Sequence, residues 1–261
     1  MNIIVTIKQV PDAANVRINP ETKTLVREGV ESMMNPLDAY ALEEAVRLKE
    51  KLGGKVTVVC MGPPMAEAVL REAISLGADE AVLLSDRAVA GSDTLATSYA
   101  LSQTISKLGD YDLILGGKQA IDGDTAQVGP GIAVNLVIPQ VTCVRKVREC
   151  ANGKMIVERM TEEGYDVVEV TLPAVVTVVK EINEPRIASL KGKMAAKRAQ
   201  IKVMTAADIA ADLTRLGLKG SPTNVVEIFS PEARQGGVKL EGAPEEQARS
   251  LVAALKENQL L

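Results

Sequence analysis

The residues best suited to bind a ligand lie in a glycine-rich stretch near the middle of the chain, at positions 116–130. The stretch reads Gly-Gly-Lys-Gln-Ala-Ile-Asp-Gly-Asp-Thr-Ala-Gln-Val-Gly-Pro and follows an apolar run at 113–115. Glycine has no Cβ, so main-chain amides can approach a ligand closely there. Asp124 or Thr125 is of the type that caps a helix. The order of apolar run, glycine turn and helix predicts an anion site, because a helix N-terminus presents free N–H groups and a positive dipole end.

Neither common phosphate-binding template fits this stretch, which is not G-x-G-x-x-G and not G-x-x-x-x-G-K-[ST]. A tight turn without a ligand explains the glycine spacing equally well. The uncharged donors Thr125 and Gln127 favour a nucleotide, because they follow the turn where phosphate and ribose lie in an open α/β sheet. Asp122 and Asp124 are interpreted as turn and cap residues, since no histidine or metal cluster surrounds them to complete a proton-transfer circuit.

Composition excludes several classes of function. The 261 residues include no histidine and no tryptophan, and aromatic residues make up 2%. Histidine-based triads and metal sites are therefore excluded, and an aromatic platform for single-stranded nucleic acid is not expected. The formal net charge of −4 and the pI near 5.2 show no excess of basic residues, which nucleic-acid binding would require. We expect no nucleic-acid partner.

The cysteines and the first residues bear on the compartment. The three cysteines are odd in number and form no C-x-x-C pair, which favours a reduced, cytoplasmic chain. The apolar run at residues 2–8 is too short for a signal peptide or a membrane span, and we expect no membrane insertion. It predicts the first buried strand.

The first 140 residues alternate between short apolar runs and helical stripes, which predicts a mostly parallel, doubly wound, Rossmann-like α/β sheet of the adenine-nucleotide α-hydrolase-like kind. Predicted strands at 2–8, 55–60, 81–84 and 113–115 alternate with helices from Pro36, over 65–76 and over about 94–108, and a small hairpin is expected in 16–27. Three loops, 8–12, 60–64 and 116–125, follow strand carboxyl ends and should share one edge of the sheet.

The pattern changes after Pro139. Alternating runs at 140–149, 154–160, 166–172 and 174–180, with the turn Asn152-Gly153, predict an antiparallel extension of the sheet. We therefore divide the chain into a nucleotide-binding domain, 1–182, and a C-terminal arm, 183–261. The arm begins basic, continues loop-like and shows one further helical stripe at 244–255, so it is expected to pack on a partner subunit.

Several motifs together resemble one family. The stretch 118–130 is similar to the nucleotide loop of the beta subunit of electron-transferring flavoproteins. Further segments agree with that family in the same order along nearly the whole chain: Lys8-Gln9-Val10-Pro11-Asp12, Met34-Asn35-Pro36-Leu37-Asp38, Met61-Gly62-Pro63, Gly77-Ala78-Asp79 and Asn183-Glu184-Pro185-Arg186.

The resemblance implies which residues hold the cofactor and which one meets a partner. The cofactor set is Thr6, Asn35, Pro36, Leu37, Asp38, Met61, Gln119, Ala120, Asp122, Gly123, Asp124, Thr125, Ala126, Gln127, Val128 and Gly129. Leu190 matches a leucine that anchors partner dehydrogenases, within a basic run whose alternative interpretation is a solvated face. No catalytic side chain and no metal ligand is implied.

Two segments resemble the electron-bifurcating branch of the family, namely 93–98 and 217–223, together with Met61-Gly62-Pro63-Pro64. That branch implies FAD in this site, reduced by NADH, with one electron passing to ferredoxin or flavodoxin. The other electron would pass through the FAD of the alpha subunit to an acyl-CoA-type dehydrogenase. An AMP-binding beta subunit that does not bifurcate stays open, because the loop motif does not separate AMP from FAD.

A function of another class also stays open. A universal-stress-type nucleotide sensor would share the sheet and the crevice, although it leaves residues 183–261 unexplained. A hydrolase or ligase of the adenine-nucleotide α-hydrolase-like group ranks last, since the sequence has no pyrophosphatase loop.

Overall fold

The computed structural model describes residues 1–12, 17–18, 25–26, 32–227 and 236–261. By its internal contacts the chain divides into two units, Met1–Glu227 and Ile228–Leu261. The strands of the first unit are β1 (Asn2–Ile7), β2 (Gln9–Pro11), β3 (Arg17–Ile18), β4 (Leu25–Val26), β5 (Ser32–Met34), β6 (Lys55–Met61), β7 (Glu80–Leu84), β8 (Leu113–Gly117), β9 (Gln140–Ala151), β10 (Lys154–Met160), β11 (Tyr165–Thr171), β12 (Ala174–Val178) and β13 (Lys202–Met204). Its helices are α1 (Pro36–Leu52), α2 (Glu67–Ser75), α3 (Thr94–Leu108), α4 (Val128–Leu136) and α5 (Leu190–Arg198).

One large sheet organises the first unit. Across the described part of the chain its order is β11-β10-β9-β12-β8-β1-β6-β7-β13. The central pairs β12–β8, β8–β1, β1–β6, β6–β7 and β7–β13 are all parallel. The predicted fold class, a mostly parallel α/β sheet with an antiparallel extension, is confirmed.

The core forms on both faces of the sheet because successive residues of a strand point to opposite sides. Ile3, Val5 and Ile7 of β1 lie in the cluster that packs on α1 and α2. Ile4, between them, lies in the cluster formed with α3 and α4. Strand β8 alternates in the same way, so each central strand is apolar along its whole length, as expected for a sheet covered on both faces.

The extension differs from the prediction in one strand. Strand β12, expected as part of the antiparallel extension, instead runs parallel to β8 and to β9. The antiparallel pairs are β9–β10 and β10–β11. Asn152 and Gly153 connect β9 to β10 with φ of 52° and 72°, the left-handed geometry expected of this turn.

Residues 183–227 are more ordered than their loop-like sequence suggests. Helix α5 packs on α2, with Arg71 donating to the carbonyls of Ala196 and Ala199 at the helix end. Strand β13 extends the parallel sheet beside β7. The functional division at residue 183 into a nucleotide-binding part and a partner-binding arm stays a prediction.

The small hairpin predicted in 16–27 agrees with the antiparallel pairing of β3 and β4. Its turn, 19–24, lies outside the described residues.

The second unit, considered by itself, contains helix α6 (Pro244–Glu257), close to the predicted stripe at 244–255. Pro244 occupies its first position, and the Glu246 carboxylate accepts a hydrogen bond of 3.1 Å from the main-chain N–H of Ala243. No helix in the described ranges is long and apolar enough to cross a membrane.

We expect the sheet core to dominate stability. Leu115, at the centre of β8, is fully buried, whereas Leu213 is 61% exposed. Leu115→Ala should lower the free energy of unfolding by about 2–5 kcal/mol, because it removes buried methyl groups and leaves a cavity. Leu213→Ala is the matched control and should change it by less than about 0.5 kcal/mol. Equal losses in urea unfolding would contradict the assignment of Leu115 to the core.

Candidate functional site

The predicted ligand stretch lies where the strand order reverses. From β1 the chain builds β6 and then β7 on one side, and returns to add β8 on the other side of β1. The loops that leave β1 and β8 therefore diverge, and in open α/β sheets the crevice between such loops is where ligands bind. The predicted loop at 116–125 begins at this point.

The first turn of α1 holds the loop after β8. Asn35, fully buried, donates from its side-chain nitrogen to the carbonyl of Gln119 at 2.9 Å and accepts at its side-chain oxygen from the N–H of Ile121 at 3.1 Å. Its own N–H donates to the carbonyl of Lys8, 2.8 Å away. Asn35 directly precedes α1, but its side chain makes no cap hydrogen bond because the loop uses both of its polar atoms.

Asp38 joins the ends of the two strands. One carboxylate oxygen accepts from the N–H of Lys8 at 2.8 Å, after β1, and the other from the N–H of Gly117 at 3.1 Å, at the end of β8. The side chain is only 6% exposed, and this burial raises its pKa to about 7, against the lowering effect of its hydrogen bonds.

Two further contacts hold the loop, and both involve its acidic residues. The Lys8 ammonium bridges both carboxylate oxygens of Asp122, at 2.7 and 2.8 Å. The side-chain amide of Gln119 donates to Asp124. Lys8 was part of a recognised motif but was not predicted as a site residue. The sequence did contain a signal for Lys8, namely a lysine directly after a predicted strand whose carboxyl end shares an edge with an acidic loop.

The helix after the loop starts later than predicted. Asp124 and Thr125 do not cap it; α4 begins at Val128 with Gln127 as the preceding residue, and no described side chain caps it. Asp124 and Ala126 both have φ of 54°, so the loop turns through two left-handed residues before the helix begins. The N–H groups of Val128 and Gly129 are therefore available to an external acceptor, since Pro130 has none and the N–H of residue 131 donates to the carbonyl of Gln127.

Three of the four glycines of the stretch allow close packing within the protein itself. A Cβ on Gly116 would lie 2.7 Å from the Thr6 hydroxyl, and one on Gly117 would lie 2.6 Å from the Asp38 carboxylate and from the main chain of Leu37. A Cβ on Gly129 would collide with Thr177. Only Gly123 faces open space. At Gly116, Gly117 and Gly129 the protein's own packing therefore already excludes a Cβ, and whether the amides of this stretch meet a ligand stays a prediction.

The structure brings most of the predicted cofactor residues to one edge. Thr6 lies in β1 opposite Gly116, Pro36 and Leu37 open α1, and the exposed loop carries the rest of the set up to α4. Met61 ends β6, one strand further along the same edge. The loop members are Gln119, Ala120, Asp122, Gly123, Asp124, Thr125, Ala126, Gln127, Val128 and Gly129. Whether these residues contact a cofactor stays a prediction.

Leu190 lies apart from this group, at the first position of α5, and is 77% exposed. The segment before it is fixed to α1 by Arg186, whose guanidinium donates to Glu43 and Glu50, each at 2.7 Å. Burial would raise the pKa of Glu43, but hydrogen bonds from Arg186 and Arg47 lower it below the usual value. An exposed leucine on an anchored helix end is suited to contact a partner.

Metal and thiol chemistry find little support in the described residues. Among them, no group of three or more His, Cys, Asp or Glu side chains could hold a metal ion. Cys60 is buried beneath the crevice, where burial raises its pKa to about 12, so the thiol stays protonated.

Comparison with known proteins gives one consistent family. The model of the electron transfer flavoprotein domain matches residues 22–209. The beta subunit of the electron transfer flavoprotein from Thermoanaerobacterium thermosaccharolyticum is 54% identical over 100% of both chains. The CarD subunit of the caffeyl-CoA reductase–Etf complex from Acetobacterium woodii is 49% identical, again over 100% of both chains. Protein FixA from Bradyrhizobium diazoefficiens is 47% identical over 99% of this chain and 92% of its own.

The tight approach of α1 to β8 gives a test of the site architecture. Gly117→Ala should lower the free energy of unfolding by about 1–3 kcal/mol, because the added methyl group would force Asp38 and the start of α1 away from the strand. Gly123→Ala, in open space on the same loop, should change it by less than about 1 kcal/mol. Guanidinium unfolding of both variants measures the difference, and equal effects would count against the packing role of Gly117.

Proposed function

We propose a function from the premise that this chain belongs to the electron transfer flavoprotein family, as a chain of the beta-subunit type. The chain is the beta subunit of a heterodimeric electron carrier and holds FAD in the crevice between β1 and β8. The FAD is reduced by NADH, as in a bifurcating carrier, and AMP is the alternative occupant of the same site.

The hydrogen-bond donors of the crevice favour binding of an adenine nucleotide, which is an anion. The uncapped start of α4 offers the N–H groups of Val128 and Gly129 and a positive dipole end, which favour a phosphate. Two loop acids would repel a phosphate, but Asp122 is neutralised by the Lys8 ammonium and Asp124 accepts from Gln119. This pairing of the acids around an open helix N-terminus is the observation that carries the proposal.

A flavin bound here would supply hydride acceptance and electron release. The chain's own residues position that group and need no nucleophile or general base. Thr125 and Gln127 present uncharged donors on the exposed loop, and the first turn of α1 keeps the loop in place through Asn35. Thr6 and Met61 border the crevice from β1 and β6.

A local structural feature supports the bifurcating type. The two segments that resemble this branch, 93–98 and 217–223, are far apart in sequence but joined in the structure. The Asp93 carboxylate accepts from the N–H and the hydroxyl of Thr223, and the N–H of Asp93 donates to the Ser221 hydroxyl at 2.8 Å. Similarity over the whole chain to a subunit of a caffeyl-CoA reductase–Etf complex supports an acyl-CoA-type partner enzyme.

The proposed partners follow from the same family. An alpha subunit with its own FAD completes the heterodimer and receives the arm, residues 183–261. An acyl-CoA-type dehydrogenase docks at Leu190, and ferredoxin or flavodoxin takes the other electron. The basic residues around Leu190, among them Lys191 and Lys193, are exposed and form a charged rim to an apolar contact.

The occupant of the site is tested by cofactor analysis of the purified heterodimer. We expect two FAD per heterodimer, both reduced on titration with NADH, because one flavin would belong to each subunit. Released nucleotides are identified chromatographically and reduction is followed by absorbance. One FAD with one AMP, and no bleaching by NADH, would replace the bifurcating assignment with the AMP-binding one. The absence of both FAD and AMP from this subunit would overturn the proposed site.

The docking role of Leu190 is tested by substitution. Leu190→Ala should reduce electron transfer to the physiological dehydrogenase by about tenfold, since truncating an apolar hot spot removes more than about 1 kcal/mol of binding. Flavin content should stay unchanged because the residue lies apart from the crevice. Leu213→Ala, another exposed leucine, serves as the control. Full activity of the Leu190 variant would remove it from the partner surface.

A further inference from the structure

Asp38 stands out because one carboxylate serves two neighbouring strands. Its oxygens accept N–H bonds of 2.8 Å from Lys8 and 3.1 Å from Gly117, which lie at the ends of β1 and β8. These strands are the ones whose loops diverge at the reversal of strand order. The two amides lie just beyond the last paired residues of β1 and β8, Thr6 and Gly116, so this side chain continues the link between the strands where their pairing ends.

The surrounding packing leaves little freedom for another arrangement. A Cβ at position 117 would be 2.6 Å from the nearer Asp38 oxygen. Asn35, three residues earlier and directly before α1, holds the loop beyond Gly117 by two hydrogen bonds. We therefore expect a change at Asp38 to affect the loop as well.

Only an ionised carboxylate can accept at both oxygens while donating nothing. In a protonated acid one of the two oxygens carries a proton and accepts only weakly, and in an amide the nitrogen does not accept at all, so one main-chain N–H would lose most or all of its hydrogen bond. The charged neighbours are few. The Lys8 ammonium is paired with Asp122, and the Cys60 thiol stays neutral because burial raises its pKa to about 12.

We propose that Asp38 is a positioning residue whose carboxylate, by holding the Lys8 and Gly117 amides together, sets the crevice and controls how tightly the cofactor is retained. The proposal rests on the proposed function of this site. It gives Asp38, one of the predicted cofactor residues, a role exerted through main-chain amides that does not require contact with the cofactor.

The proposal predicts the direction in which cofactor affinity changes with pH. Burial raises the pKa of Asp38 to about 7, so the empty folded protein is largely protonated at this residue below that pH. Binding that requires the carboxylate must then release a proton, and affinity should rise as the pH rises towards about 7.

Folding stability should depend on pH in the opposite sense. The pKa of Asp38 is higher in the folded chain than in the unfolded chain. The stability it contributes is therefore fully present below the unfolded pKa of about 4 and is lost as the pH rises through about 7. If Asp38 had a purely structural role, cofactor affinity and folding stability would change with pH in the same direction. The proposal predicts that they change in opposite directions.

The experiment measures FAD binding to the purified heterodimer by equilibrium dialysis between pH 5.5 and 8.5. In the wild type, affinity should increase by up to about tenfold per pH unit below 7 and then level off. Asp38→Asn should bind FAD more weakly and without this slope, because an amide cannot ionise. The partner subunit is the same in every sample, so differences between variants report the site on this chain.

Glu44 provides the matched control. It is another buried acid of α1 whose pKa is raised by burial, but it accepts from Asn183, which lies outside the crevice loops. Glu44→Gln should keep the wild-type slope, which supports the proposal even if the Asp38 variant does not fold. A sloped Asp38→Asn profile, a flat wild-type profile with two FAD per heterodimer still bound, or loss of the slope in Glu44→Gln would overturn the role of Asp38. Failure of the wild type to bind either a second FAD or AMP at any pH would overturn the proposed function and this inference with it.

Discussion

The architecture of this protein depends on the hydrogen bonds by which one helix start joins the ends of two parallel strands. Loops that leave neighbouring strands at a reversal of strand order run in opposite directions, so the crevice between them has no main-chain connection of its own. The first turn of α1 supplies one. Asp38 ties the ends of β1 and β8, and Asn35 ties the loop that follows β8.

The same helix links the crevice to the proposed partner surface. While its first turn holds the crevice, its later residues Glu43, Glu44 and Glu50 bind the segment before α5 by accepting from Arg186 and Asn183. The two proposed sites, distant in sequence, are thus attached to one helix. Each attachment to α1 uses charged or amide side chains with several hydrogen bonds. The crevice loop and the segment before α5 are therefore held in orientation as well as at a fixed distance.

The crevice also shows why a loop with acidic residues can receive an anion. Carboxylates next to a helix N-terminus compete with an anionic ligand for the same N–H groups. Here Asp122 is bound by the Lys8 ammonium and Asp124 by the Gln119 amide, and neither caps α4. The left-handed residues Asp124 and Ala126 delay the start of the helix until Val128, so its first N–H groups stay available.

The sequence by itself determined the fold class, most strands and helices, and the stretch at 116–130 as the main binding candidate. It could do so because apolar periodicity, glycine turns and cap residues are local signals. The parallel placement of β12, the order of α5 and β13, and the true start of α4 were decided only by the tertiary structure. So were the packing roles of Gly116, Gly117 and Gly129 and the contacts of Asn35, Asp38 and Lys8. Most of these depend on residues far apart in the chain, such as Lys8 and Asp122 at 114 positions or Arg71 and Ala196 at 125. No local pattern records which distant amide or carboxylate a side chain will meet once the sheet has formed.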